Sequence, residues 1–233
     1  GDADLPGDAC DNCPLRKNSD QADSDGNGVG DVCEPGRPLA DSALDWSFDG
    51  RQGENSWENG YYFRTADADL TYSAEEFILF ENLAGPAGGP VSPDDNHWAG
   101  TQWDLIPAGP PWTELGRTTT HPSGPDPEHW PIRRWKSTFT GPATIAWTIS
   151  KTNPGCGTGV TGRLFVNGTE VDRATIAFDD TAGTSRRRFT TLGAGDLVDL
   201  ALGPMGTDGS RSDGCDGTFN RLSIDDEAPD TDR

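Results

Sequence analysis

The sequence predicts a mainly β protein: an antiparallel β-sandwich, jelly-roll-like, preceded by an irregular segment that calcium orders. Three observations carry this expectation. From residue 44 onward, short runs rich in β-branched and aromatic residues are separated by Gly, Pro, Asn or Asp, which is strand periodicity and not helical periodicity. Before them, residues 1–36 place acidic side chains at the spacing of a cation-binding loop and offer almost nothing to bury. Finally, the 233 residues include 39 acidic and 18 basic side chains, a formal net charge of −21.

The acidic segment comes first in the chain. Its nine acidic residues face only Arg16 and Lys17, and its bulky apolar residues are Leu5, Leu15, Val29 and Val32. Such a stretch cannot offset its chain entropy by hydrophobic burial, so bound cations and a disulfide must order it. In the window 23–34, "DSDGNGVGDVCE", oxygen ligands fall at positions 1, 3, 5, 9 and 12 as Asp23, Asp25, Asn27, Asp31 and Glu34. Gly28 stands at position 6 and Val29 offers a backbone carbonyl at position 7. A hard cation such as Ca²⁺ takes about six to eight oxygens, and a loop with this ligand order supplies them. Composition alone would suit a solvated acidic linker, but the spacing recurs. A shift of 23 places lays Asp2, Asp4, Pro6, Asp8, Cys10 and Asp11 onto Asp25, Asn27, Val29, Asp31, Cys33 and Glu34. Asp2, Asp4, the Pro6 carbonyl, Asp8 and Asp11 therefore read as part of a second calcium site. The counterpart of Asp23 would precede Gly1, so the chain reads as a piece of a longer protein.

Residues 1–35, "GDACDNCPLRKNSDQADSDGNGVGDVCE" in particular, resemble a thrombospondin type 3 repeat. The Asp-Asn-Cys-Pro, Asn18, Gln21 and the closing Gly-Asp-x-Cys carry the resemblance. It implies repeats wrapped around several calcium ions and stapled by disulfides, with Asn18 and Asp20 helping a neighbouring ion. Asn27 departs from the commoner Asp, which removes one ligand charge. Within one such repeat Cys13 pairs with Cys33, while Cys10 pairs with a cysteine of the preceding repeat. Cys156 and Cys215, both in Gly-rich turns, are then the remaining couple. Disulfides imply an oxidising, extracellular or cell-surface location. A zinc site is the alternative use, but Cys10-x-x-Cys13 has no second such pair and no nearby His. No signal peptide or apolar membrane-spanning run occurs, as expected of a processed or excised extracellular piece.

After a linker at 37–43, the sandwich is expected over 44–226. Its candidate strands are "ALDWSF", "GYYFRT", "EFILFE", "PIRRWKSTF", "ATIAWTIS", "GRLFVNGTEV", "RATIAFD", "RRRFTTL", "DLVDLAL" and "TFNRLSI". Residues 143–149 alternate apolar and polar side chains as a half-buried strand does. Asn167-Gly168 is the pair that a two-residue hairpin turn prefers. About ten such strands in one domain point to a sandwich. "GRQGENSWENGYYF", "IRRWKS", "LFVNGTEV", "GDLVDLAL" and "SDGCDGTFNRLSID" resemble a secreted bacterial β-sandwich module similar in arrangement to carbohydrate-binding modules. That resemblance brings no catalytic residues with it. Residues 227–233 form an acidic linker in which Asp230-x-Asp232 looks like the opening of another repeat.

Residues 82–131 depart from strand periodicity. They hold 10 of 18 prolines, all three histidines and Trp98, Trp103, Trp112 and Trp130. Long loops inside a compact domain are usually functional or disordered, and tryptophan argues against disorder. Aromatic faces suit sugar rings, so these four are candidate carbohydrate contacts; the alternative is that they plug the sandwich as core. Asp213 and Asp216, beside Cys215, form a weaker candidate calcium pair. Nothing suggests an enzyme. No paired-carboxylate strand of the glycosidase type, no G-x-S-x-G and no H-E-x-x-H is present, and Glu75-Glu76 reads as a solvated strand entrance. His97, His121, His129 and Glu128 fit no zinc or copper spacing. The charge of −21 disfavours nucleic acid and anionic membranes as partners. What remains is a non-catalytic calcium-binding module that binds extracellular polysaccharide or, alternatively, a bead of a calcium-stabilised adhesin, stalk or fibre whose partners are neighbouring subunits.

Overall fold

The computed structural model describes residues 11–12, 21, 28, 38–82, 97–106 and 109–226. Their strands are β1 (Pro38–Asp41), β2 (Trp57–Phe63), β3 (Ile78–Leu79), β4 (Gln102–Asp104), β5 (Glu114–Gly116), β6 (Thr119–His121) and β7 (His129–Lys136). Then come β8 (Gly141–Lys151), β9 (Val160–Val166), β10 (Thr169–Ile176), β11 (Thr184–Leu192), β12 (Leu197–Gly203) and β13 (Thr218–Asp226). One sheet has the order β11-β8-β13-β6-β5-β4, with β1 also on β13, and the other has the order β10-β9-β12-β7-β2-β3. The pairings between strands are antiparallel. The protein is the expected β-sandwich.

Alternation builds the space between the sheets. Ala143, Ile145, Trp147 and Ile149 of β8, and Leu222 and Ile224 of β13, are buried against Val160 and Leu164 of β9 and Val198, Leu200 and Leu202 of β12. Trp57 and Trp135, paired across β2 and β7, join the same cluster. Asn167 (φ 51°) and Gly168 (φ 76°) turn β9 into β10 with Val166 opposite Thr169, as the Asn-Gly pair predicts. Cys156 and Cys215 are bonded across 59 residues of sequence.

Three expectations need correction. The stretch 37–43 is not a free linker, because Pro38–Asp41 pairs with β13 and Asp41 binds Arg221. "ALDWSF" lies in turns, where Asp41 Oδ1 accepts the N–H groups of Ala43 and Leu44; Trp46 packs inward while Leu44 and Phe48 stay exposed. Residues 82–131 are not loop throughout, since β4, β5 and β6 extend the first sheet. Strands of three residues between prolines and glycines are too short to show a period.

A second, smaller core lies on the outer face of the β10–β3 sheet. Neighbouring residues of a strand point to opposite faces, so Ile132 and Trp130 of β7 leave the face that holds Trp135. They cluster with Tyr62, Phe165, Ala201 and Tyr72, and Phe77 packs on them. Tyr72 and Phe77 come from the crossing segment that follows β2, and that segment turns the sheet's outer face into a pocket wall.

Candidate functional site

That wall frames a cavity of about 410 Å³. β9 contributes Arg163 and Phe165, β10 contributes Glu170 and Arg173, and β7 contributes Trp130. Arg64, Leu70, Thr71 and Tyr72 come from the crossing segment, Gly168 from the hairpin turn, and Met205 and Arg211 from the β12–β13 connection. Register explains the first group. Arg163 pairs with Arg173 and Phe165 with Glu170, so the hairpin sets all four on one face.

Glu128, buried immediately before β7, organises the arginines. Its Oε1 accepts Trp130 Nε1–H at 2.8 Å, and its Oε2 accepts Arg64 Nη1–H at 2.9 Å and Arg211 Nη1–H at 2.8 Å. Glu170 receives a two-pronged contact from Arg173, 2.8 and 2.9 Å. Arg163 lies over Trp130, its guanidinium carbon 4.1 Å from the ring centre. Its nearest carboxylate is Glu170, with Nε 3.7 Å from Oε2, and its Nη1 is buried with no acceptor. Burial, and then the neighbouring Arg173 charge, pull the Arg163 pKa down to about 10. Behind the cavity, Arg134 Nε and Nη2 donate to Asp199 at 2.8 and 2.9 Å, and the Tyr72 hydroxyl donates to Asp199 at 2.7 Å. Burial and that carboxylate push the Tyr72 pKa well up, so the phenol stays a neutral donor. The walls are fixed before any ligand arrives.

The four candidate tryptophans part company. Trp103 and Trp130 are 1% and 6% exposed, and Trp98 is half-buried. Trp103 stacks on Phe80, Trp98 meets both Trp46 and Trp103, and Arg163 covers Trp130. Only Trp112, 42% exposed, keeps a large open surface among them. The structure therefore brings one of the four, Trp130, to the cavity, as a support for Arg163 and not as an open stacking face. The arginines went unread because an isolated Arg in a strand usually reads as a solvated face. The signal available was the Asn-Gly turn, which fixes the β9–β10 register and hence the Arg163–Arg173 pairing.

Asp213 and Asp216 do not converge. Asp213 Oδ2 accepts Gly124 N–H at 3.1 Å, whereas Asp216 Oδ1 receives Lys151 Nζ at 2.7 Å in a fully buried pair. The Lys151 ammonium is the cation that Asp216 meets. Among the described residues no group of three or more His, Cys, Asp or Glu gathers. In the acidic segment, Asp11 Oδ1 accepts Gln21 Nε2–H at 3.0 Å, and Gly28 has φ 87°, a turn conformation. The other expected ligands, namely Asp2, Asp4, Pro6, Asp8, Asn18, Asp20, Asp23, Asp25, Asn27, Val29, Asp31 and Glu34, and the Cys13–Cys33 pair lie outside the described residues.

A second surface depression of about 540 Å³ lies on the outer face of the other sheet, lined by Asp41, Arg187, Arg221 and Asp225 among others. Asp41 and Arg221 are paired there, and the one aromatic residue in its lining, Trp147, is 1% exposed. Like the arginine pocket it is lined by twelve residues, but it holds three arginines, Arg186, Arg187 and Arg221, against the four of that pocket.

No protein-family model matches the chain, and no curated protein matches it. Among solved structures it is similar to the native family 35 carbohydrate-binding module from Clostridium thermocellum, at 16% identity over 42% of this chain and 72% of that one, with a TM-score of 0.29. It is similar also to CBM51 from Clostridium perfringens GH95 in complex with methyl-galactose, at 13% identity over 55% and 81%, TM-score 0.29. The PRD1 vertex protein P5 is a third, at 14% identity over 55% and 82%, TM-score 0.30. These likenesses are partial, and none says what this chain binds.

Proposed function

We propose that residues 38–226 are a non-catalytic carbohydrate-binding module of an extracellular or cell-surface protein, with the sugar seated in the arginine pocket. One observation carries the reading: a cavity of ligand size, about 410 Å³, in which Glu170 holds the strand residue Arg173 while Glu128 holds Arg64 and Arg211 of the connecting segments. A preset cavity binds with less ordering cost than a mobile loop. Guanidinium groups supply hydrogen-bond donors in a fixed fork, which suits sugar oxygens. The thrombospondin-like residues 1–36 belong to the proposal as a calcium-ordered spacer that presents the module. No residue is assigned a catalytic role, and the candidate partner is an extracellular polysaccharide.

A glycan array probed with and without Ca²⁺ tests this, followed by titration of any hit against Arg211→Ala. The variant should bind about tenfold or more weakly, since an anchor residue in a bound site commonly contributes more than 1 kcal/mol. The exposed Phe189 and Phe219, on the outer face of the other sheet, favour a second reading in which neighbouring subunits pack there. Absence of any glycan hit together with self-association that Phe189→Ser abolishes would put that bead-like role first.

A further inference from the structure

The pocket is a local exception to the charge of the molecule. Four guanidinium groups, Arg64, Arg163, Arg173 and Arg211, line a cavity whose carboxylates are Glu170 and, beneath it, Glu128. Arg134 and Asp199 neutralise one another behind it, and Asp67 and Asp69 accept the backbone N–H of the lining residue Thr71. In the lining and its direct ion pairs, four arginines meet two carboxylates, a locally basic place within a chain of net charge −21. Glu128 gives one oxygen to both Arg64 and Arg211, and Glu170 takes a two-pronged contact from Arg173. Arg163 has the longest of these ion pairs, 3.7 Å to Glu170, with no hydrogen bond to that carboxylate, and its buried Nη1 finds no acceptor.

Packing alone does not call for this arrangement. Like charges gathered in a partly buried place repel, and a buried donor without an acceptor costs about 1–3 kcal/mol. A ligand anion in the cavity removes the first of these costs. The guanidinium fork matches a carboxylate or sulfate bidentately, which a neutral hydroxyl does not exploit. Distant acidic residues do not prevent it, because at physiological ionic strength charges more than about 8 Å away are largely screened while contacting arginines are not.

We infer that the pocket recognises an acidic sugar, one bearing a uronate carboxylate or a sulfate ester, with Arg163 and Arg173 as the anion-binding pair. This rests on the carbohydrate-binding reading above and narrows it. In a membrane-free solution the same oxyanion chemistry has two sources, and the test separates them.

Calorimetric titrations would use trigalacturonic acid, a sulfated carrageenan oligosaccharide, the neutral galactotriose and inorganic sulfate. Acidic oligosaccharides should bind, at least tenfold more tightly than galactotriose, and whichever of the two binds more tightly identifies the oxyanion. Arg163→Gln should weaken binding at least tenfold. Because Arg163 is buried and its loss could unfold the module, Arg173→Glu serves as a second variant: its side chain is 52% exposed, and it too should weaken binding at least tenfold. Arg187→Glu, on the outer face of the opposite sheet, changes net charge equally and should change affinity less than twofold. Equal binding of galactotriose and the acidic sugars, unaffected by Arg173→Glu, overturns the inference and leaves the carbohydrate reading standing. Binding of inorganic sulfate with no sugar bound overturns both, as does no binding at all.

Discussion

At the scale of the residue, burial decides what each ionisable group does. His129 is 3% exposed, shares a hydrogen bond of 2.8 Å between Nδ1 and Thr113 Oγ1, and packs against Tyr61 and Phe63. Its Nε2 is buried without a partner, and burial lowers its pKa from 6.5 to about 4. The unfolded chain therefore takes up a proton near pH 6.5 that the folded one refuses until about pH 4. The stabilisation is fully present above pH 6.5 and is lost as pH falls through that window, by up to roughly 3 kcal/mol. His129→Gln should flatten the slope of unfolding free energy between pH 6.5 and 4, measured by urea denaturation at several pH values. An unchanged slope would mean the imidazole is protonated in the folded state.

At the scale of the element, the β9–β10 hairpin places five of the twelve residues that line the pocket. Gly168 holds φ 76°, and a Cβ there would come 2.8 Å from the backbone nitrogen of Ala74 on the crossing segment. Backbone strain and that close approach act together. Gly168→Ala should cost about 1–2 kcal/mol and lower the melting temperature by about 2–8 °C. It should also weaken ligand binding, because the crossing segment that carries Leu70, Thr71 and Tyr72 must shift. A bulge between Glu170 and Asp172 has a further effect on the same strand. It turns Asp172 toward Trp147 Nε1, Arg186 and Arg188, closing the edge where the two sheets meet.

At the scale of the whole molecule, the proposal joins a sandwich held by its core to a segment ordered by cations. The sandwich is held by a core that spans both sheets and by the Cys156–Cys215 bond, whose loop of about 60 residues contributes about 4 kcal/mol in the chain-entropy treatment. The sequence of residues 1–36 offers few apolar side chains to bury, and the proposed calcium spacer has cations order them instead. Chelation with EDTA should therefore make residues 1–36 sensitive to limited proteolysis while the melting temperature of residues 38–226 moves by less than about 2 °C. If chelation leaves the first segment as resistant as before, or melts the sandwich with it, the calcium spacer is refuted.

Sequence alone determined the things that depend on local geometry. Alternation in β8, the Asn167-Gly168 turn and the β-rich, Gly-punctuated runs specify strands and a sandwich whatever lies around them. The Cys156–Cys215 bond was legible too, through the resemblance of the acidic segment, which assigned the other cysteines. Tertiary structure alone decided which faces are covered. Alternation says that Trp130 and Trp135 neighbours point to opposite sides, but not that Arg163 will close over one ring or that residues 64–77 will roof that side. Arg64 and Arg211 are separated by nearly 150 residues, and only the folding of both segments onto Glu128 makes them parts of one pocket. Burial is a property of what packs on a surface, and for a site assembled from distant segments no local pattern in the chain records it.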